Sequence, residues 1–227
     1  YESFENLLRD QIEAGSEAVT VCGTTGEGAT LTPDEYVSVL KFAKDTLGTK
    51  SKVIAGSGTN NTATAIEKSK IAQDCGADAL LIVTPYYNKT TQAGLISHYY
   101  EISRAVDLPI ILYNVPSRTG VSFSADTYKT LSEIESINGV KEASGNFDLI
   151  AKTRILCGDN LNVWSGNDNE TLEIMALGGR GVISVAANLI PKVMMDLTDL
   201  CDDCEYDMAR ELMFKYYELM SAMFVEV

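Results

Sequence analysis

Short apolar, β-branched runs recur along this 227-residue chain at 18–22, 53–55, 79–83, 110–113, 139–141, 162–165 and 181–185, their starts 19 to 35 residues apart. Between them lie segments with helical spacing of apolar residues, at 33–47, 62–75, 91–105, 124–132, 146–156 and 169–177. Each interval holds about one strand and one helix, the unit that joins adjacent parallel strands through a crossover. Runs such as Leu80-Leu81-Ile82-Val83 lack polar alternation, so both faces of these strands are expected to be covered. Further helices are expected at 5–14, before the first strand, and at 191–200 and 205–220, after the last. Local signals agree with this division. Thr32-Pro33-Asp34-Glu35 reads as an N-cap, a proline at the first helical position and a capping-box glutamate. Gly15, Gly48 and Gly76 fall where left-handed C-caps are expected.

Seven such strands fit an open doubly wound sheet or a barrel. A dinucleotide-binding open sheet needs a G-x-G-x-x-G turn after its first strand, and Cys22-Gly23-Thr24-Thr25-Gly26-Glu27 is not one. The chain also opens on a helix and without a methionine, as it would if the first strand of a barrel lay upstream. The expected fold is therefore α/β, a TIM (β/α)8 barrel lacking strand 1 and the C-terminal helical end. Residues 1–227 are expected to be a single domain truncated at both ends, the central part of a longer enzyme, with the start of a C-terminal helical extension at about 191–227.

Charge and composition remove several function classes. Eighteen basic residues against 32 acidic give a net charge of −14, which argues against a nucleic-acid partner, because phosphate contacts need basic surface. No stretch approaches the ~18 continuous apolar residues of a membrane span, and no basic-then-apolar leader is present. Five scattered cysteines without a disulfide-scaffold spacing point to a cytoplasmic location. The one histidine, His98, excludes zinc sites built on several histidines within the chain, and no nucleophile-elbow sequence lies near it.

In parallel barrels chemistry sits at the C-terminal ends of strands, so polar residues there form the shortlist. After the first strand comes Gly23-Thr24-Thr25-Gly26-Glu27, whose small residues let backbone N–H groups approach an anion, although an ordinary glycine turn has the same composition. Thr84-Pro85-Tyr86-Tyr87-Asn88-Lys89 puts adjacent tyrosines on a loop, suited to catalysis or to packing against a partner subunit. Tyr113 at a strand exit can relay protons or be a core ring with a satisfied hydroxyl. Arg118 offers a planar fork for a carboxylate, or a surface ion pair. Lys141 ends the apolar run 137–140 and should point into the barrel mouth. A buried ammonium either pairs with an acid or loses its proton, and a neutral amine attacks carbonyls to give a Schiff base. Glu142 alternates to the other face and should not pair with it. The glycine-rich Leu177-Gly178-Gly179-Arg180-Gly181 precedes its strand, and Cys201-Asp202-Asp203-Cys204 lacks a βαβ context, so both are expected to be structural.

Gly23-Thr24-Thr25-Gly26-Glu27 and Thr84-Pro85-Tyr86-Tyr87-Asn88-Lys89, together with Tyr113-Asn114-Val115-Pro116-Ser117-Arg118-Thr119-Gly120, Val140-Lys141-Glu142-Ala143-Ser144 and Gly181-Val182-Ile183-Ser184-Val185, resemble in order and spacing the dihydrodipicolinate synthase family of the N-acetylneuraminate lyase superfamily. The resemblance covers essentially the whole chain. It implies an aldolase-type condensation of pyruvate with L-aspartate 4-semialdehyde to 4-hydroxy-tetrahydrodipicolinate, in lysine and diaminopimelate biosynthesis. It implies a covalent pyruvate imine on Lys141 and no cofactor or metal. Tyr113 would relay protons, with Thr24 and Tyr87 completing a hydroxyl triad, Tyr87 reaching into a neighbour's site. Thr25 would hold the pyruvate carboxylate, Arg118 that of the semialdehyde, and the backbones of Gly166 and Ile183 would line the pyruvate pocket. A homo-oligomer, a dimer of dimers, would follow. Pro33, Tyr36 and Thr64 stand where lysine-sensitive members often carry histidines and a glutamate, so weak or absent lysine inhibition is expected. The alternatives are another pyruvate-dependent aldolase of the superfamily, of sugar-acid or sialic acid lyase type, and a non-catalytic barrel subunit.

Overall fold

The computed structural model describes residues 1–225. Strands and helices alternate: α1 (Glu2–Ala14), β1 (Ala18–Val21), α2 (Pro33–Leu47), β2 (Lys52–Gly56), α3 (Thr62–Asp74), β3 (Ala79–Val83), α4 (Gln92–Ser103) and β4 (Ile110–Asn114). The chain continues through α5 (Pro116–Thr119), α6 (Ala125–Leu131), β5 (Ile137–Glu142), α7 (Phe147–Cys157), β6 (Asn162–Ser165), α8 (Thr171–Ala176), α9 (Pro191–Asp202) and α10 (Tyr206–Ala222). The six strands form one curled, all-parallel sheet in sequential order, as in part of a (β/α)8 barrel.

Alternation along the strands divides the core. Outward residues such as Val53, Leu80, Ile82, Leu112 and Val140 pack under the helices. Each such fully buried side chain contributes about 1.5–3 kcal/mol. Ile54, Leu81, Ile111 and Tyr113 face the inside of the curl, with Trp164 and Ile183 beside them. A separate cluster, including Met175, Met194, Leu197 and Met213, joins α8, α9 and α10. Thr32 caps α2 through the expected reciprocal box with Glu35. Gly15 adopts the left-handed cap, whereas Gly48 has φ 57° and ψ −119°, positive in φ but outside the αL basin.

The expected seventh strand at 181–185 needs correction. Only Val182 reaches the ladder, as an isolated parallel bridge to Ser165. Gly181 enters at φ 131°, and Asp168 then accepts the backbone N–H groups of Val185 and Ala186, each at 3.1 Å. Those bonds draw the chain out of the extended path after Ile183. The segment after β4 also differs from a plain loop: it contains the one-turn α5, which carries Arg118.

Candidate active site

The site forms where β4 and β5 end side by side. Tyr113 pairs with Lys141 and Asn114 with Glu142 on consecutive rungs of the parallel ladder. Paired residues share a face, so Lys141 and Tyr113 both point inward and Glu142 outward. The Lys141 Nζ lies 4.6 Å from the centroid of the Tyr113 ring. Lys141 is 8% exposed, and burial lowers its ammonium from the ordinary 10.5 to about 8; Asp168 opposes that shift and Arg118 adds to it. Burial also raises the Tyr113 phenol, with Arg118 working in the opposite direction.

The sequence left two options for Lys141, pairing with an acid or losing its proton. Among the described residues no carboxylate lies within ion-pair distance of it. The acid that most strongly raises its pKa, Asp168, is 0% exposed. Its carboxylate is already engaged by the Ser184 hydroxyl and by the Val185 and Ala186 amides. Lys141 is therefore a desolvated amine with an aromatic face beside it, and it gives up its proton more readily than an ordinary lysine. Glu142 has its own partners on the outer face: Asn114 Nδ2 at 3.0 and 3.1 Å, the Tyr128 hydroxyl at 2.8 Å and the Ser144 N–H at 2.9 Å. Burial pushes its carboxyl up, and these donors pull the other way.

A cavity of about 1200 Å³ opens at this end of the sheet and is lined in part by Thr24, Tyr87, Tyr113 and Arg118. On the β6 side, Gly166 lies beside Lys141 and Ile183 beside Tyr113; none of Lys141, Gly166 and Ile183 lines that cavity. The Gly166 N–H donates to the Glu142 carbonyl at 2.7 Å, and a Cβ on Gly166 would stand 3.2 Å from Lys141 Cε. The Ile183 N–H donates to the Ser165 carbonyl at 2.9 Å, and its side chain packs in the inner cluster with Tyr113. Thr24 and Thr25 lie exposed on the turn after β1, where the Glu27 N–H donates to the Thr24 carbonyl at 3.0 Å; Thr25 is not among the cavity-lining residues. Tyr87 is 89% exposed, with φ 72°. Among the described residues no hydrogen bond joins the hydroxyls of Thr24, Tyr87 and Tyr113 within one chain. His98 takes no part: it is buried, its Nδ1 bonded to the Thr62 hydroxyl at 2.9 Å, and burial lowers it to about 4. Among the described residues no group of three His, Cys, Asp or Glu side chains is placed to hold a metal, and no helix is long and apolar enough to cross a membrane.

Sequence reasoning missed Asp168. It follows the exit of β6, where the rule that shortlisted Thr24 and Tyr113 also applies, but nothing in its neighbours signals that it anchors residues 184–186.

The model described as the dihydrodipicolinate synthetase family matches residues 1–227. The chain belongs to the dihydrodipicolinate synthetase family. A relative from Thermoanaerobacter sp. (strain X514), named 4-hydroxy-tetrahydrodipicolinate synthase, is 44% identical over 227 residues, covering 100% of this chain and 76% of the relative. The crystal structure of dihydrodipicolinate synthase from Aquifex aeolicus superposes with a TM-score of 0.97 at 42% identity, over 100% of this chain and 78% of that one. The chloride-inhibited synthase from Acinetobacter baumannii, solved with pyruvate, gives 0.96 at 42% identity, over 99% of this chain and 77% of that one. Members of the dihydrodipicolinate synthetase family thus share this sheet and its crossover helices across the full length of the chain.

Proposed function

We propose that the chain condenses pyruvate with L-aspartate 4-semialdehyde to 4-hydroxy-tetrahydrodipicolinate, a lyase step of lysine and diaminopimelate biosynthesis, without an external cofactor. The observation that carries this is Lys141: a buried amine lowered to about 8, facing Tyr113 and paired with no acid. The neutral Nζ adds to the pyruvate keto carbon, and loss of water leaves an imine. A proton then leaves the methyl carbon, and the resulting enamine carbon attacks the aldehyde of the second substrate. The amino group of that substrate adds to the imine carbon and displaces Lys141, which closes the ring and frees the enzyme.

Each proton transfer needs a group that both accepts and donates, and a phenol does this without a histidine. Tyr113 is that group, with Thr24 and the Tyr87 of a second copy extending the relay. The exposure of Tyr87 supports a role across an interface rather than within one chain. Thr25 and the turn amides hold the pyruvate carboxylate, and the backbones of Gly166 and Ile183 shape the pocket around its methyl end. Arg118, on the cavity wall, pairs with the carboxylate of the semialdehyde. The active form is a homo-oligomer, a dimer of dimers, in the cytoplasm, with no nucleic-acid or membrane partner. Residues 1–227 are one domain of an eight-stranded barrel, with the helices from 191 onward beginning a C-terminal helical extension.

Borohydride reduction in the presence of pyruvate tests the chemistry. The expected product is one reduced pyruvate adduct on Lys141, located by peptide mass. A folded, active oligomer that yields no adduct there refutes the imine. Assaying pyruvate with the semialdehyde and with sugar-derived aldehydes in parallel tests the second substrate.

A further inference from the structure

Glu142 is 1% exposed, yet no part of the proposed chemistry uses it. Its four hydrogen bonds come from three pieces of chain: Asn114 on β4, Tyr128 on α6 and Ser144 just past β5. All the donors are neutral. A buried carboxylate held this way gains little over an apolar side chain of similar volume, so packing alone does not account for it.

The neighbouring ladder contains an irregularity. Ile110 pairs with Ile137, but Ile111 pairs with Gly139, which leaves Asn138 as an extra, exposed residue in β5. Below this bulge Ile110 and Ile137 both pack outward. Were Asn138 paired with Ile111 instead of bulged out, Tyr113 would pair with Val140, and Lys141 would fall beside Asn114 on the outer face. A one-residue slip exchanges the faces of every following side chain. The inward direction of Lys141 therefore depends on holding the bulged register. The rung directly above Tyr113–Lys141 is Asn114–Glu142, joined side chain to side chain by two bonds. In the slipped register Asn114 would face Lys141, and the carboxylate would lose its amide partner.

We propose that Glu142, through Asn114 and Tyr128, locks the bulged β4–β5 register and so acts as a positioning residue for imine formation at Lys141. The inference rests on the reading of Lys141 as the imine-forming amine and adds the device that aims it.

The test compares the wild-type oligomer with E142Q, in which one of the two oxygens that accept from Asn114, Tyr128 and Ser144 becomes a donor, and with E142Q/N114D, in which the amide and carboxylate exchange places and the donor–acceptor match is restored. Thermal unfolding, kcat, KM for pyruvate and the rate of borohydride-trapped adduct formation are measured for each. E142Q is expected to lose about 10²-fold in kcat and in trapping rate with KM little changed, the scale of a small misplacement of a reacting group. Adding N114D is expected to restore about tenfold of that loss, a coupling that independent sites do not show. Folded E142Q with wild-type kcat overturns the proposal, as does a double variant no faster than E142Q. If E142Q does not fold, the double variant carries the test: a folded protein with near wild-type trapping supports the lock, and a folded protein without trapping overturns it. Failure of both to fold also overturns it, because the cluster then holds the fold rather than the register. A wild-type protein that traps no pyruvate on Lys141 is a separate result, against the imine. The lock is then read from the crystal structure of E142Q, or of the double variant if only that folds: Lys141 displaced from the Tyr113 ring in E142Q, or kept there by the exchanged pair, supports it. The opposite placement in either case overturns it.

Discussion

Imine formation on Lys141 is expected to rise with pH through about 8 and to level off above it. Burial lowers the amine from the ordinary 10.5 to about 8. At pH 7 about one amine in ten is then neutral, against about one in three thousand for an unperturbed lysine, so the net shift, led by burial, supplies a roughly 300-fold gain in nucleophile. The sign follows from desolvation, which disfavours the charged form in the folded chain. Two neighbours allow the limb to be moved in opposite directions. Arg118 pushes the pKa of Lys141 down and Asp168 pushes it up, so Arg118→Ala should shift the limb to higher pH and Asp168→Asn to lower pH. The assay is the rate of borohydride-trapped adduct formation at fixed pyruvate, from about pH 6 to about pH 10. Lys141→Arg keeps a charge that is never neutral in this range and should abolish the adduct. A wild-type limb centred near the ordinary lysine value, or shifts of the two variants in the reversed order, would refute the reasoning. The same linkage makes folded stability rise with pH between about 8 and 10.5, where only the unfolded chain still holds this proton.

Three further outcomes are expected. Gly166→Ala would place a Cβ 2.7 Å from the Ala143 Cβ and 3.2 Å from both the Glu142 carbonyl oxygen and Lys141 Cε; an overpacking cost of about 1–3 kcal/mol should lower the melting temperature and slow adduct trapping together, and unchanged values for both would contradict the packing described. Tyr87→Phe should cut kcat by about 10²-fold while sedimentation shows an unchanged oligomer, whereas Tyr87→Ala should also weaken assembly; full activity in a Tyr87→Phe protein would remove this hydroxyl from the relay. L-Lysine should inhibit weakly or not at all, because Pro33, Tyr36 and Thr64, which line the cavity, bring neither a carboxylate nor an imidazole to it; half-inhibition at submillimolar lysine would count against this.

Much of the fold was legible from the strand–helix period, because two-sided burial writes itself as continuous apolar runs such as Leu80–Val83. The capping box at Thr32 was legible too, since it depends on residues three apart. The 181–185 run misled because its apolar pattern carries no trace of Asp168, whose contact with residues 184–186 is made only after the chain has folded. The Asn138 bulge is equally silent in sequence: one extra residue changes the pairing partner, not the composition.

By itself the sequence determined that strands and helices would alternate in a parallel sheet, and that Lys141 would end a buried strand while Glu142 turned away from it. Both follow from local periodicity. Only the tertiary structure decided that Lys141 would be unpaired and easier to deprotonate than an ordinary lysine. That outcome depends on Asp168 being engaged elsewhere, on the Tyr113 ring lying across one rung, and on a register fixed by contacts between segments distant in the chain. Desolvation and pairing are properties of the assembled site, and no window of neighbouring residues contains them.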